Sequence, residues 1–582
     1  MPDMSSRPSI LRRAFRLLLA LCLVAALAGA TYLAGYYTQR FGLNPAHSVL
    51  TRVERKLKAL AGQPSPLAQK MAQIESTHLR LVGQVYPQPG NDWVNGGSLT
   101  LWGDRLLVMN HKGESFVLRE DEGALRRTPI VPPENGLEAY KSLARTGKYQ
   151  GYQHLFQRVR FNHMLYVDEG GIRGLVLSYT RFDADRECYG TRVSWLPIPE
   201  AVRDVADLKN AASDWKTLFD TYPCQPLNPA GTALSGLGAG GRMAFRAPST
   251  LYLSSGDYEL DGILTYDAGI QSDQTSFGKI MAIDLVTGQS RIVSKGHRNP
   301  GGIAIDKLGR LWTVEHGYRG GDELNLIREG GNYGWPEETL GTLYSGLPMP
   351  IKGDYARHDL HDKPVYAWLP SVAPSSLVAL DGFDPAWDGD LIAGSLSSAE
   401  FGQSLFHIRI EGERVLFVER IALGQRVRFV TQVGPDRIAV LTDRNDLILF
   451  RAERRPDPLE DVRKRVAAEF PPALAQRVLS TLDACNQCHS FEQYVNGTGP
   501  SLNGVAGRKI ATTTFSGHSP SLRARGGVWD DETLKVYLRD PNAFAPGTGM
   551  PDPEIDDPDL LDALIWALKQ VDTDDPKHMT YN

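Results

Sequence analysis

Residues 301–317 read GGIAIDKLGRLWTVEHG. Ile303 to Ile305 and Leu311 to Val314 are short apolar runs, and Asp306-Lys307-Leu308-Gly309 between them is a tight polar turn. The stretch is a strand hairpin. The same texture returns as SLTLWGDRLLVMNH (98–111) and FVTQVGPDRIAVLTDRNDLILF (429–450). Strand pairs recurring from about residue 80 to 453 argue for a β-propeller, in which every blade contributes a hairpin or more. The repeat is irregular, so the number of blades does not follow from it. In a propeller the mouth of the central channel is where a site is expected.

The rest of the chain frames this region. At 582 residues it is too long for one core and suggests several domains. Hydrophobic residues make up 42% and charged residues 23%, so most of it is globular. The formal net charge of −5 gives no sign of a nucleic-acid partner. The 57 glycines suit a turn-rich β protein.

Leu17 to Tyr37 carry no charge and are long enough as a helix to cross a bilayer. Arg7, Arg12, Arg13 and Arg16 precede this run and only Arg40 follows closely, which keeps the N-terminus cytoplasmic and exports the body. The expectation is a single-pass anchor in a bacterial inner membrane with the body in the periplasm. A signal peptide cleaved near Ala28-Gly29-Ala30 is the alternative. Residues 41–79 show apolar residues three and four apart and read as a helical stalk. Cys22 lies inside the apolar run. Cys188 and Cys224 are left over and form a disulfide in an oxidising compartment only if they lie within bonding distance.

After a charged, proline-punctuated linker at 454–472, a third domain spans 473–570, with a tail at 571–582. It opens with ACNQCHSF (484–491), the spacing of c-type haem attachment. Cys485 and Cys488 would form the thioethers and His489 would bind the iron. A zinc site needs further ligands, and His518 is the one later histidine before the tail. Met550, in GTGMPDPE (547–554), is the candidate second axial ligand. With GTGPSLNGVAGRK (497–509), GGVWDDETLKVYLRDPNAF (526–544) and DLLDALIWALK (559–569), the domain resembles an all-α class I cytochrome c with one haem. That resemblance places Pro500 by the proximal histidine and packs Trp529 and Tyr537 around the haem.

The propeller also carries a resemblance. GHRNPGG (296–302), EHGYRGGDELNLI (315–327), GNYGWP (331–336), VYAWLPSVAPSS (365–376), DGDLIAGSL (388–396) and GQRVRFV (424–430) follow one another in an order similar to the soluble glucose dehydrogenase and aldose sugar dehydrogenase family. The resemblance implies a six-bladed propeller carrying pyrroloquinoline quinone (PQQ) and calcium. PQQ has three carboxylates, and Arg426 and Arg428, on one face of a strand, are the candidates to bind them. Two solvated arginines are the plainer reading. Tyr366 and Trp368 would pack against the quinone's rings, or simply in the core. Asp322 and Glu323 are a possible calcium pair, or brace a turn. Arg298 and Asn299 would fix the loop lining the channel.

Oxidation also needs a general base, and His163, in FNHMLYVDEGGIRGLVLSYTRF (161–182), best matches the family's base, with His154 as the fallback. The glycines and the Pro-Asp-Phe of the family motif are missing around it. No arginine follows Gly256-Asp257 closely, and Leu396-Ser397-Ser398 stands where the family has a lysine. The expected function is a quinohaem oxidoreductase passing electrons from a sugar or alcohol through PQQ and haem to a respiratory acceptor. The alternative is a non-catalytic binding or scaffold propeller that carries an electron-transfer cytochrome c.

Overall fold

The structure, a computed structural model, describes residues 73–89, 96–145, 159–227, 237–263, 267–354, 356–397, 401–443, 446–454, 457–492 and 495–571. The expected anchor and all but the end of the stalk lie outside them. Among the described residues no helix is long and apolar enough to cross a membrane. The chain divides into two compact units, 1–454 and 455–582.

The first unit is a propeller of six sheets, antiparallel except where Gly331–Asn332 pairs in parallel with Ser294 and Lys295 in the third. Their innermost strands are Gly97–Trp102, Phe161–Glu169, Gly240–Arg246, Pro300–Ile305, Pro374–Ala379 and Val427–Gln432. Each inner strand neighbours the next around the ring, and the last neighbours the first. The opening hairpin forms the two inner strands of the fourth blade, pairing Ile303 with Thr313 across the turn. Apolar faces of adjacent blades pack together. Trp312, Val314 and Leu324 of the fourth blade, for example, meet Leu391, Phe406 and Ile408 of the fifth.

The end of the expected stalk belongs to the propeller: Gln73–Glu75 is a strand, not helix, and Leu79, the last stalk residue, opens the strand Leu79–Pro87, which otherwise lies in the expected propeller. Leu79–Pro87 pairs along its whole length with the last propeller strand, Asp446–Arg454. The three- and four-residue apolar spacing suits a helix, but Gln73–Glu75 pairs with Arg80–Val82 at the sheet edge, and that pairing prevails. Cys188 and Cys224 are disulfide-bonded, with their Cα atoms 5.6 Å apart.

The second unit is helical, with helices over Glu460–Glu469, Pro472–Cys485, Pro520–Arg525, Asp531–Arg539, Pro541–Phe544 and Pro558–Lys569. Pro472, Pro520 and Pro558 each open a helix, where a missing N–H costs nothing. Ser519 and Asp530 cap the next helices through the N–H groups of Leu522 and Thr533. Leu459, Val462 and Val466 pack with Val478, Leu482, Leu561 and Leu564 in one core. The expected linker at 454–472 therefore belongs largely to this unit.

Candidate functional site

A cavity of about 580 Å³ lies on the propeller axis. All six inner strands reach it, through Gly97, Asn162, Arg242, Gly301, Ser375 and Arg428. Arg242 forms its floor. Its Nε donates to Gly301 O (3.1 Å), Nη1 to Gly97 O (3.3 Å) and Asn162 O (3.1 Å), and Nη2 to Ser375 O (3.2 Å) and Arg428 O (3.0 Å). A guanidinium has five N–H donors, and each one is spent on a different blade. The third blade supplies Arg242 itself. Burial, and then Arg160 and Arg428, push this guanidinium down to about 9.

Four more arginines, Arg160, Arg298, Arg426 and Arg428, line the cavity. Glu259 is the one carboxylate among the described lining residues. Arg426 and Arg428 both pair with Asp443 from behind. Arg298 donates to Gly317 O (2.6 Å) and lies 4.2 Å over the Tyr318 ring. Its Nε and the Nδ2 of Asn162 are buried without a hydrogen-bond partner. Unmet donors in a cation-rich cavity fit an anion, and a tricarboxylate above all.

The expected residues divide around this cavity. Arg426 and Arg428 line it, as do Arg298 and Asn299. Asn299 accepts from Gly240 N (3.3 Å), and Arg298 N donates to Glu315 (2.8 Å), so both fix lining loops. His163 is not among the lining residues. Its Nδ1 accepts from Met243 N (2.9 Å), its ring lies 5.0 Å from Phe429, and burial, then Arg242, push it well below the usual imidazole range. The expectation that His163 is the base does not hold in this geometry; it is a buried histidine that ties two blades together. His154 lies outside the described residues.

Tyr366 and Trp368 form the outermost strand of the fourth blade and cannot reach the axis. Trp368 packs on Phe406 between blades, so core packing is its role. Asp322 accepts from Gly317 N, Ser371 Oγ, Val372 N and Ala373 N, which saturates its oxygens. Glu323 accepts from Asn325 Nδ2 (3.1 Å), and burial, then Glu315, hold its carboxyl well above the usual range. A carboxylate whose oxygens are all taken by N–H and O–H donors, beside one that burial holds well above the usual range, does not make a calcium pair, and the two brace their turn instead. Among the described residues no group of three or more His, Cys, Asp or Glu is arranged to hold a metal.

The second unit holds a largely apolar cavity of about 470 Å³. Cys485, Cys488, His489 and Met550 all line it, with Trp529 and Tyr537 in its wall. Both thiols are free. His489 Nδ1 donates to Pro500 O (2.7 Å), which leaves Nε2 for a metal. Arg508 donates to Asn503 O (2.9 Å) and Ser501 O (2.8 Å), while its Nε is buried without a partner. Paired thiols, a tied histidine, a thioether and one unmet cationic donor suit a haem and its propionates.

Residues 157–451 match the Glucose / Sorbosone dehydrogenase family, about half of the chain. The chain belongs to this family. Aldose sugar dehydrogenase YliI of Escherichia coli is 30% identical over 302 residues, 49% of this chain and 74% of that protein. A crystal structure of glucose dehydrogenase superposes with a TM-score of 0.50 at 26% identity, covering 64% of this chain and all of that one. Cytochrome c2 iso-2 of Magnetospirillum molischianum is 43% identical over 86 residues, 15% of this chain and 88% of that protein. The six-bladed propeller and the cytochrome c unit expected from the two resemblances are both borne out.

In this glucose/sorbosone dehydrogenase relative, sequence reasoning passed over Arg242, Arg160 and Glu259 in the propeller and Arg508 in the cytochrome unit. Arg508, in the quoted GTGPSLNGVAGRK, was within reach, because a buried anionic cofactor needs a nearby cation. Arg242 follows Gly240-Gly241 in a glycine-rich stretch with no charge pattern. Its role appears only when six blades close on one point.

Proposed function

We propose that the chain is a membrane-anchored quinohaem oxidoreductase that oxidises a sugar or related alcohol with PQQ in the axial cavity and passes the electrons to its own c-type haem. The observation that carries this reading is the cavity's charge: five arginines face one carboxylate, with buried donors unmet. Arg298, Arg426 and Arg428 would hold the quinone's carboxylates, and Arg242 the floor beneath it. When bound, PQQ supplies a two-electron acceptor. His489 and Met550 would ligate the haem iron, and Cys485 and Cys488 anchor it; the His/Met pair raises the iron's potential, as an electron acceptor requires. Fusion of the two units replaces a diffusional encounter with a high effective concentration.

Leu17–Tyr37 would anchor the body in the periplasm beside a respiratory acceptor, and the Cys188–Cys224 disulfide agrees with an oxidising compartment. Calcium, implied by the resemblance, is not assigned to Asp322 and Glu323 and enters the test as a variable.

The test uses the full-length, haem-loaded protein in its oxidised form. PQQ is added with and without calcium, then a panel of aldoses and alcohols, and haem reduction is followed optically. Reduction that needs both PQQ and a substrate supports the reading. Failure to take up PQQ, with no reduction by any substrate, supports instead a non-catalytic propeller carrying an electron-transfer cytochrome.

A further inference from the structure

Oxidation of a hydroxyl needs a group to take its proton, and His163 does not line the cavity. We infer that Glu259 is that group, an inference that rests on the PQQ reading above.

The backbone is the first argument. Tyr258 and Glu259 are consecutive non-glycine residues with φ of 55° and 61°. Left-handed backbone of this kind costs on the order of 1–3 kcal/mol per residue and persists where its surroundings over-determine it. Here they do. Asp257 Oδ1 accepts from Glu259 N (2.8 Å), and its Oδ2 accepts from Trp335 Nε1 (2.9 Å). Tyr258 is fully buried, its N–H donates to Gly238 O (3.1 Å), and its hydroxyl is 2.6 Å from Thr191 Oγ1. This scaffold turns the Glu259 side chain into the cavity wall.

The surrounding wall is the second argument. The neighbouring lining segment, Leu237 to Gly241, offers leucine, glycine and alanine and no group that takes a proton. A Cβ on Gly238 would stand 2.7 Å from Asp257 Oδ1, so no side chain fits there. That leaves Glu259 and one imidazole, His316, among the described lining residues. His316 Nε2 is tied to Pro374 O (2.9 Å). Burial pushes its pKa down, since taking a proton would create a charge away from water. Glu259 is half-buried and loses a charge when it takes the proton. Arg298 and Tyr189 are among the ionisable groups it acts on, with Asp257 beneath its backbone.

In the step, the C–H bond at the oxidised carbon breaks and its electron pair leaves with the hydrogen, as hydride, to the quinone. The C–O bond becomes C=O. The hydroxyl proton moves to a Glu259 carboxylate oxygen, and the resulting acid returns it to solvent, which the half-buried side chain reaches. Asp257 acts through Glu259 as a positioning residue.

The full-length, haem-loaded protein is compared with Glu259→Gln and His316→Gln. PQQ uptake is measured first, by absorbance titration, and should be no weaker than wild type in Glu259→Gln, which removes the one lining carboxylate. Aldose is then added anaerobically, and infrared difference spectra are recorded. A carboxylic-acid carbonyl band should appear in wild type and in His316→Gln and be missing in Glu259→Gln. Haem reduction in Glu259→Gln should slow by on the order of 10²–10⁴-fold, the contribution of a general base. A Glu259→Gln protein that reduces haem at the wild-type rate overturns the assignment. So does loss of the band in His316→Gln with its retention in Glu259→Gln. Failure of the wild-type protein to take up PQQ removes the underlying reading, and the assignment with it, an outcome distinct from the other two.

Discussion

Arg242 joins six blades at a single side chain, so replacing it tests how the propeller is held closed. Arg242→Met keeps the apolar stem and removes the guanidinium, whose Cζ lies over the Phe429 ring at 4.7 Å, with all five donors. The carbonyls of Gly97, Asn162, Gly301, Ser375 and Arg428 then lose a partner. An orphaned buried acceptor costs about 1–3 kcal/mol. A buried cation is no longer desolvated, which offsets part of this cost, so the low end applies. The change should destabilise the propeller by about 5 kcal/mol, at roughly 1 kcal/mol for each carbonyl. Arg242→Lys has three donors for five acceptors and should cost about 2 kcal/mol. At about 2.1 cal/mol/K of unfolding entropy per residue, a propeller of roughly 380 residues melts about 6 °C lower with Met and 2–3 °C lower with Lys. The assay is thermal unfolding of the PQQ-free protein by near-UV circular dichroism, with the haem bands as an internal reference for the cytochrome unit. A Met variant that melts within 1 °C of wild type, or a Lys variant indistinguishable from Met, would refute the hub.

His163→Asn keeps an acceptor for the Met243 N–H. Its substrate-driven haem reduction should stay within about threefold of wild type, whereas removal of a general base costs at least ~10²-fold. Met550→Ala removes the thioether that lines the haem cavity. Potentiometric titration should show the potential falling by on the order of 100 mV, a fraction of the ~0.8 V range set by axial ligands; an unchanged potential would mean that another residue holds that position. Burial raises Asp257 to about 7, against Arg298, which lowers it. The folded chain thus holds this proton more tightly than the unfolded chain, whose aspartates titrate near ~4. Its contribution to stability is full below pH ~4 and is lost as the pH rises to ~7. Urea midpoints of the PQQ-free protein should fall over that window, and Asp257→Asn should flatten the fall; parallel curves would count against the shift.

The legible parts of this molecule are those whose chemistry is local in sequence. The haem motif declares itself because both thioethers and the iron ligand lie within Cys485 to His489. The hairpins declare themselves because strand and turn alternate within some fifteen residues, as at 301–317. His163 shows where this ends. A β-bulge lies between Phe161 and His163, so the register shifts there. One residue of slip exchanges the two faces of a strand, and Asn162, not His163, faces the cavity. Tyr366 and Trp368 carried a familiar neighbourhood, yet which strand of a blade is outermost depends on pairings made across the sheet. The ring-closing strand at Leu79–Pro87 pairs with a partner more than 350 residues away in sequence, beyond any local pattern.

One consequence follows from Arg242 being both fastener and cavity floor. Arg160 and Arg428 act on it as like charges, and the described lining opposes five arginines with one carboxylate. Backbone carbonyls solvate the buried guanidinium of Arg242, while the like charges of Arg160 and Arg428 oppose it. An anion that occupies the cavity removes that repulsion while leaving the five hydrogen bonds in place. Cofactor uptake and blade closure are then linked through one residue. A ligand at a hundred times its Kd stabilises the folded state by about 2.7 kcal/mol whatever its chemistry. A ligand recognised by charge should in addition lose affinity as salt screens the arginines, most at the half-exposed Arg426 and least at the buried Arg242. Arg426→Gln should therefore weaken PQQ binding and its salt dependence without moving the melting point of the free protein. Arg242→Met should move both, and that difference separates a residue that only binds the anion from one that also holds the ring.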